Sequence, residues 1–335
     1  MRRKTLCLLL PALLLTGCAA EPETRPQKLD LFAMDTYMTA SIWSADPSLP
    51  DRAAAEISRL EDILSVTNPG SDLSRIREAH GSPVTVSPDT AEIIAKGLET
   101  GTESGGALNI ALYPVSQLWG FTQEEQHVPM EDILTDALAH TDQTQITLSG
   151  VSVTVPDGMQ LDLGALAKGY TGDRITALLR ENGVSSAILS LGGNVQTVGV
   201  KPAGSLWNVG IADPFSPSET ICSVQVGEGA VITSGSYQRY FEENGRRWHH
   251  ILDPGTGFPA DNGLVSVTVI GDSGLTCDAL STALFVMGKD RAVRFWEERQ
   301  DFGMILITDE PALYYTAGLA VKDLPDIPVQ VIVHD

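Results

Sequence analysis

One ten-residue run constrains this chain more than any other. Leu161-Asp162-Leu163-Gly164-Ala165-Leu166-Ala167-Lys168-Gly169-Tyr170 ends an extended apolar stretch and opens a helix. That reading puts Lys168 in the first helical turn. Backbone N–H groups there have no intrahelical partner and the helix end is positive, so the position suits a phosphate. A second run, Cys277-Asp278-Ala279-Leu280-Ser281-Thr282-Ala283, sets Asp278 and Thr282 four residues apart on a predicted helix. Both side chains then leave one face. A carboxylate, a hydroxyl and a nearby carbonyl make an all-oxygen set of the kind Mg²⁺ or Ca²⁺ takes. Together the two runs point to a metal-assisted site for a phosphate-containing substrate.

The N-terminus has to be set aside before any fold reasoning. Arg2, Arg3 and Lys4 precede a short apolar run, Leu6 to Leu15, broken by Pro11. The run is too short to span a bilayer and reads as an export signal over residues 1–17. Leu15-Thr16-Gly17-Cys18 resembles the lipobox of bacterial lipoproteins, which makes Cys18 the lipidated first residue of the mature chain and the lipid its only membrane contact. Residues 18–30 read as a flexible tether, and 31–335 as one large globular unit.

The net charge is −21, and loss of the three basic signal residues makes the remainder more negative. Such a surface argues against non-specific nucleic-acid binding and against adhesion to anionic headgroups, while leaving room for a local cationic pocket. Of four cysteines, Cys222 and Cys277 remain for the folded part. A disulfide between them is conceivable in an exported protein, but two buried thiols are favoured. Zinc-type cysteine spacing is absent.

The pattern predicts a strand over 31–42, a helix over 51–65 and a helix from Ser87-Pro88 to about Glu103. A polar loop at 122–129, a short helix at 130–139 and a hairpin turning at Ser149-Gly150 follow. The helix of the first key run is placed at 168–181, capped by Asn182-Gly183. Strands are then expected at 184–191, 207–212, 221–226, 230–233 and 264–270, with a hairpin turning at Glu243-Asn244-Gly245. Helices over 275–287 and 290–300 precede terminal strands. Strands and helices mix without strict alternation, which argues α+β with largely antiparallel sheets and packed helices.

Gly192-Gly193-Asn194 lacks the spacing of a dinucleotide loop and reads equally as a tight turn. His249-His250-Ile251-Leu252-Asp253-Pro254-Gly255-Thr256-Gly257 delivers His250 and Asp253 into a Pro/Gly turn. There they can move protons or orient a substrate, or Asp253 simply caps its own turn. Thr233-Ser234-Gly235-Ser236-Tyr237 lacks the nucleophile-elbow spacing, so its hydroxyls suit hydrogen bonds to a ligand or to the local turn. As an i,i+4 pair, Asp278 and Thr282 can also be no more than a helix start.

The order of these segments resembles the ApbE family, the FAD:protein FMN transferases, over essentially the whole mature chain. The resemblance rests on Met34-Asp35-Thr36, Asp-Leu-Gly-x-x-Ala-Lys-Gly from Asp162, Thr-Ser-Gly-x-Tyr from Thr233, His-x-x-Asp-Pro-x-Thr-Gly from His250, and Asp-Ala-x-Ser-Thr from Asp278. It implies a T-fold-related α+β unit that binds FAD with Mg²⁺, cleaves the pyrophosphate, releases AMP and places FMN on a threonine or serine of an exported acceptor. Implied acceptors are flavoprotein subunits of sodium-pumping NADH:quinone reductase and the related Rnf complex. The metal would be held by Asp278, Thr282 and the backbone oxygens of Ala165 and Ser281. FAD would meet Met34, Ala107, Leu108, Asn109, Asp162, Lys168 and Leu252, and His250 would take the acceptor proton. The chain departs from the family in having Asp35 where Met-Gly-Thr is usual and in lacking an aromatic residue near Thr67. Two further readings are an Mg²⁺-dependent FAD pyrophosphatase giving FMN and AMP, and a non-catalytic FAD-binding or storage lipoprotein.

Overall fold

The computed structural model describes residues 25–334 apart from residues 122 and 124. The export signal and Cys18 lie outside the described residues. In chain order, β1 (Gln27–Ala33) and β2 (Thr36–Ile42) form a hairpin, α1 (Leu49–Leu64) and α2 (Asp72–Glu78) follow, and β3 (Val84–Thr85) leads to α3 (Pro88–Glu103). Next come α4 (Tyr113–Trp119), α5 (Glu131–Leu138), β4 (Thr147–Ser149), β5 (Ser152–Thr154) and α6 (Gly164–Glu181). The chain continues through β6 (Ser186–Leu191), β7 (Asn194–Gly199), β8 (Trp207–Ala212), β9 (Thr220–Val226), β10 (Gly229–Gly235), β11 (Tyr240–Glu243) and β12 (Arg246–His249). It closes with β13 (Leu264–Gly271), α7 (Gly274–Met287), α8 (Lys289–Arg299), β14 (Gly303–Thr308), β15 (Leu313–Thr316), β16 (Ala320–Lys322) and β17 (Val329–Ile332).

A nine-stranded sheet in the order β1-β2-β6-β7-β10-β13-β14-β15-β17 organises the rest. Its pairings are antiparallel except β15 with β17, so the α+β expectation holds. Successive residues of a strand face opposite sides, and the central strands are apolar on both. Ala230 and Ile232 of β10 and Met304 and Leu306 of β14 pack with α7, together with Leu280, Leu284 and Phe285. The intervening Val231, Ile305 and Ile307 pack instead with Trp207, Val209, Ile211 and Val224 of the small β16-β9-β8 sheet. Helices therefore cover one face and a three-stranded sheet covers the other. A one-residue slip in β10 or β14 would exchange the two packing sets, which fixes the register.

Several expectations need correction. The strand read over 31–42 is a hairpin, because Met34 and Asp35 adopt positive φ values of 48° and 58° and reverse the chain without glycine or proline. Its first strand begins at Gln27, so residues 27–30 of the expected tether are strand. Helix α6 starts at Gly164, not Lys168, which puts Lys168 in the second turn. α2, α4 and β7 were not anticipated; α2 and α4 are short, seven residues each. Elsewhere the local signals held. Ser87 accepts the Thr90 N–H as the cap of α3, and Gly192 and Gly193 make a turn at φ 63° and 95°. Cys222 and Cys277 are free, buried thiols in different core clusters. Burial pushes Cys222 up to about 11 and Cys277 higher still, so both stay protonated.

Candidate active site

Helices α6 and α7 cross at two glycines, and the site grows from that crossing. A Cβ added at Gly169 would lie 2.6 Å from Cβ of Asp278 and would overlap the Gly274 carbonyl oxygen; one at Gly274 would overlap the Gln196 amide. Only hydrogen at both positions lets the backbones meet. Gln196 of β7 donates to the Gly169 carbonyl at 2.8 Å. At the other side Asp173 of α6 accepts from Ser273 Oγ at 3.0 Å, Gly274 N at 2.6 Å and Leu275 N at 2.9 Å. One helix thus caps the next, satisfying N–H groups that α7 would otherwise leave orphaned.

That clamp presents Asp278, 4% exposed, in the second turn of α7. The Gly169 N–H donates to its Oδ2 at 2.8 Å. In a regular helix this N–H points at the Ala165 carbonyl; here it serves a carboxylate on another helix. Ser234 on β10 sits between two α7 hydroxyls, 2.8 Å from Ser281 Oγ and 3.2 Å from Thr282 Oγ1. Ser281 also donates to the Asp278 carbonyl at 2.9 Å. Asp278, Ser281 and Thr282 are therefore brought together, with Ser234 as a fourth oxygen. Among the described residues no three or more His, Cys, Asp or Glu are grouped so as to hold a metal ion, so a cation here would rely on one carboxylate plus neutral oxygens.

Burial raises the Asp278 pKa, while Lys168, the Gly169 N–H and Asn194 oppose the rise. The buried Asn194 side-chain nitrogen acts on this carboxylate from beyond hydrogen-bond distance. A nearly inaccessible carboxylate with the Ser281, Thr282 and Ser234 hydroxyl oxygens around it is an oxygen donor set that a hard divalent cation fits.

Lys168 stands in the middle of the remaining chemistry: its charge favours the ionised forms of Asp162 and Asp278 and disfavours protonation of His250. Asp162 is raised by burial and held back by the Gly164 N–H, Lys168 and Arg239. Its Oδ1 accepts the Gly164 N–H at 2.8 Å, and the Leu166 and Ala167 N–H groups both return to Leu163 O. The α6 N-terminus is thus largely satisfied from within, and the expectation of a phosphate seated on its first-turn N–H groups does not carry over. Phosphate recognition must fall chiefly to side chains. His250 is partly buried, its Nδ1 3.2 Å from the Arg239 carbonyl and its ring 6.5 Å from Phe121. Crowding by protein pushes its pKa down to about 3, with Arg239 and Lys168 adding to the shift.

The other residues expected to touch a ligand divide by what their side chains do. Met34 caps the hairpin turn, its N–H donating to Glu61 Oε1 at 2.6 Å and its sulfur 3.5 Å from Thr171 Oγ1 on α6. Ala107, Leu108 and Leu252 are buried in apolar clusters, and the Asn109 amide donates to the Thr141 carbonyl at 2.8 Å. The 107–110 stretch is tied to Asp162 through the Asp162 N–H to Ile110 O bond of 2.8 Å. Asp253 caps its own turn by accepting the Gly255 N–H at 2.8 Å, so the plainer of its two readings holds. Thr67 is exposed in the turn after α1.

A model of the ApbE family matches residues 34–306. The chain belongs to the ApbE family. Among curated relatives, a FAD:protein FMN transferase of Klebsiella pneumoniae strain 342 is 36% identical, covering 82% of this chain and 87% of its own. One from Treponema pallidum strain Nichols is 34% identical over 90% of both. Among solved structures, the ApbE protein of Thermotoga maritima superposes with a TM-score of 0.80 at 31% identity, covering 86% of this chain and 96% of its own. The apo flavinyl transferase ApbE of Pseudomonas stutzeri gives 0.76 at 29% identity, covering 89% and 94%. Within this ApbE-family chain, sequence reasoning had not assigned Asp173, Gln196, Ser234 or Arg239 to the site. Ser234 lies inside the Thr233–Tyr237 segment and Asp173 in the helix expected over 168–181; Gln196 and Arg239 carried no local signal, since only the tertiary fold brings them in.

Proposed function

We propose that this chain is an FAD:protein FMN transferase that binds FAD, moves FMN to a threonine or serine hydroxyl of an exported acceptor and releases AMP. The observation that carries the reading is the α6–α7 crossing. It gathers a nearly inaccessible carboxylate, two hydroxyls and a lysine on the segments that define the family resemblance. Asp278, Thr282, Ser281 and the Ala165 carbonyl would hold a divalent cation, with Mg²⁺ the expected ion. When bound, the ion would supply positive charge at the pyrophosphate oxygens.

The chain's own residues do the rest. Lys168 faces the phosphates as a fixed cation. The acceptor oxygen forms a bond to the phosphorus on the FMN side, the bond from that phosphorus to the bridging oxygen breaks, and AMP leaves with that oxygen. The hydroxyl proton passes to His250, which burial and neighbouring cations keep neutral and therefore able to accept it. Met34, the 107–109 stretch, Asp162 and Leu252 would border FAD, the buried ones through their backbones. Flavoprotein subunits of Nqr- or Rnf-type complexes fit as acceptors. The basic cap, short apolar run and Cys18 at the start of the chain support export and a lipid anchor at the extracytoplasmic or periplasmic face of a bacterial cell membrane.

The test is a soluble form beginning after Cys18, incubated with FAD and a candidate acceptor domain, with and without Mg²⁺. Transfer gives stoichiometric AMP and a fluorescent acceptor band on a denaturing gel. AMP without a labelled band in any acceptor tried would make the enzyme a pyrophosphatase. Tight FAD binding without AMP would make it a storage protein.

A further inference from the structure

Arg239 lies in the loop between β10 and β11, and its guanidinium reaches across to the β1–β2 turn. It donates to the Asp35 carbonyl at 2.9 Å and pairs with Asp35 Oδ2 at 3.0 Å. Among the described residues these are its guanidinium's only protein partners at hydrogen-bond distance, so several of its donors remain free. The Arg239 side chain is 43% exposed and that of Asp35 is 73% exposed, so the pair lies at the solvent-accessible surface. The Arg239 carbonyl accepts the His250 N–H at 3.1 Å, with His250 Nδ1 a further 3.2 Å contact.

We propose that Arg239 is a phosphate-reading residue of the FAD site, and that Asp35 holds it in waiting as a competing carboxylate that the incoming pyrophosphate displaces. The inference rests on the site proposed above. Three observations carry it. The α6 N-terminus spends its Gly164, Leu166 and Ala167 N–H groups on Asp162 and Leu163, so phosphate charge falls chiefly to side-chain cations. Arg239 is joined through its backbone to His250 and acts electrostatically on the same two groups, Asp162 and His250, that Lys168 acts on. A guanidinium fork also matches phosphate oxygens bidentately, which an ammonium cannot do. Asp35 is placed for the competing role by a turn pinned on both sides, by Met34 N to Glu61 and by Arg239 itself. Its positive φ of 58° is a conformation that most side chains avoid, and aspartate tolerates it better than most.

Equilibrium binding of FAD, FMN and riboflavin, followed by flavin fluorescence without divalent cation, separates phosphate reading from flavin packing. Arg239→Gln should weaken FAD by roughly 10- to 100-fold, as loss of a charge-assisted contact does, and riboflavin hardly at all. Asp35→Asn keeps the backbone and the side-chain size, and should tighten FAD by about 2- to 5-fold, the scale of an exposed ion pair. In the double variant the Asp35 gain should vanish. Equal weakening of FAD and riboflavin by Arg239→Gln, or no weakening, would overturn the assignment. Loss of FAD affinity in Asp35→Asn would overturn the competition. Arg239→Lys, which retains charge without the fork, guards against a folding defect and should lie between wild type and Gln; wild-type affinity in that variant would remove the bidentate reading. A wild-type protein that binds FAD no better than riboflavin would instead sink the proposed site, and this inference with it.

Discussion

Gly169 donates its backbone N–H to Asp278 Oδ2 across 2.8 Å, joining helices α6 and α7 through residues 109 positions apart. The bond exists only because neither helix places a side chain at the crossing. Gly169→Ala therefore inserts a methyl where the Gly274 carbonyl and the Asp278 side chain already stand. We expect a loss of about 1–3 kcal/mol, as overpacking a tight interface costs. Activity should fall further than stability does, because the displaced group is the carboxylate of the proposed metal set. Thermal melts alongside AMP-release rates check this; full activity at an unchanged melting temperature would show that the helices do not need this contact.

Asp278→Asn separates the charge from the shape. Burial raises the folded pKa of Asp278, so this group favours the fold below its unfolded pKa and loses that contribution as pH rises through the folded value. At neutral pH and without metal, an amide of the same size should be tolerated or even raise the melting temperature. Mg²⁺ should then no longer stabilise the variant, and turnover should fall by at least about 10²-fold. A variant that keeps its Mg²⁺-dependent melting shift would place the cation elsewhere.

The sequence carried the identity of this site better than its geometry. Asp278 and Thr282 were readable because helical spacing alone puts them on one face, whereas Ser281 came in only through the family resemblance. The start of α6 was not: Leu161 to Lys168 is apolar and alanine-rich enough to be strand or helix, and Asp162 capping Gly164 decides it. Met34-Asp35 was missed as a turn because methionine is not a turn former and a single aspartate, with no glycine, proline or asparagine beside it, is a weak turn signal. Its conformation is imposed by β1–β2 pairing and by contacts to Glu61 and Arg239, residues 27 and 204 positions from their partners. Gln196 reaches Gly169 from a strand that no local pattern announced. For the turn and for Gln196 the missing information was a long-range contact; for the start of α6 it was a local carboxylate to N–H bond that the residue pattern does not announce.

Asp173 tests whether the α7 register is set from outside that helix. Its carboxylate takes three donors from Ser273, Gly274 and Leu275, although Ser273 already caps α7 by accepting the Thr276 N–H. Asp173→Ala leaves that local cap in place but orphans the Gly274 and Leu275 N–H groups. The expected cost is about 1–2 kcal/mol, that of a lost cap. The Mg²⁺ concentration for half-maximal rate should rise, because Asp278 stands one turn further along. Asp173→Asn, which keeps an acceptor oxygen, should recover much of both. If Ala lowers the melting temperature while the Mg²⁺ requirement stays fixed, the cap is structural only.

His250 gives a pH prediction with a definite sign. Its folded pKa is pushed down to about 3 by burial, by Arg239 and by Lys168. The unfolded chain therefore binds a proton that the folded chain refuses between about pH 6.5 and about 3. The stability His250 contributes is present above about pH 6.5 and is lost progressively as pH falls toward about 3. His250→Ala should flatten this part of the stability profile. In turnover, a neutral imidazole is ready to accept the acceptor proton across the neutral range, so no acid limb from this group should appear near pH 6.5 in kcat/KM for FAD. Bound pyrophosphate brings negative charge and raises the pKa, so a limb in kcat should lie at higher pH than any limb in kcat/KM. Loss of the side chain should lower transfer by about 10²- to 10⁴-fold if it is the proton acceptor. A His250→Ala enzyme with wild-type transfer at all pH values would assign the proton to another group.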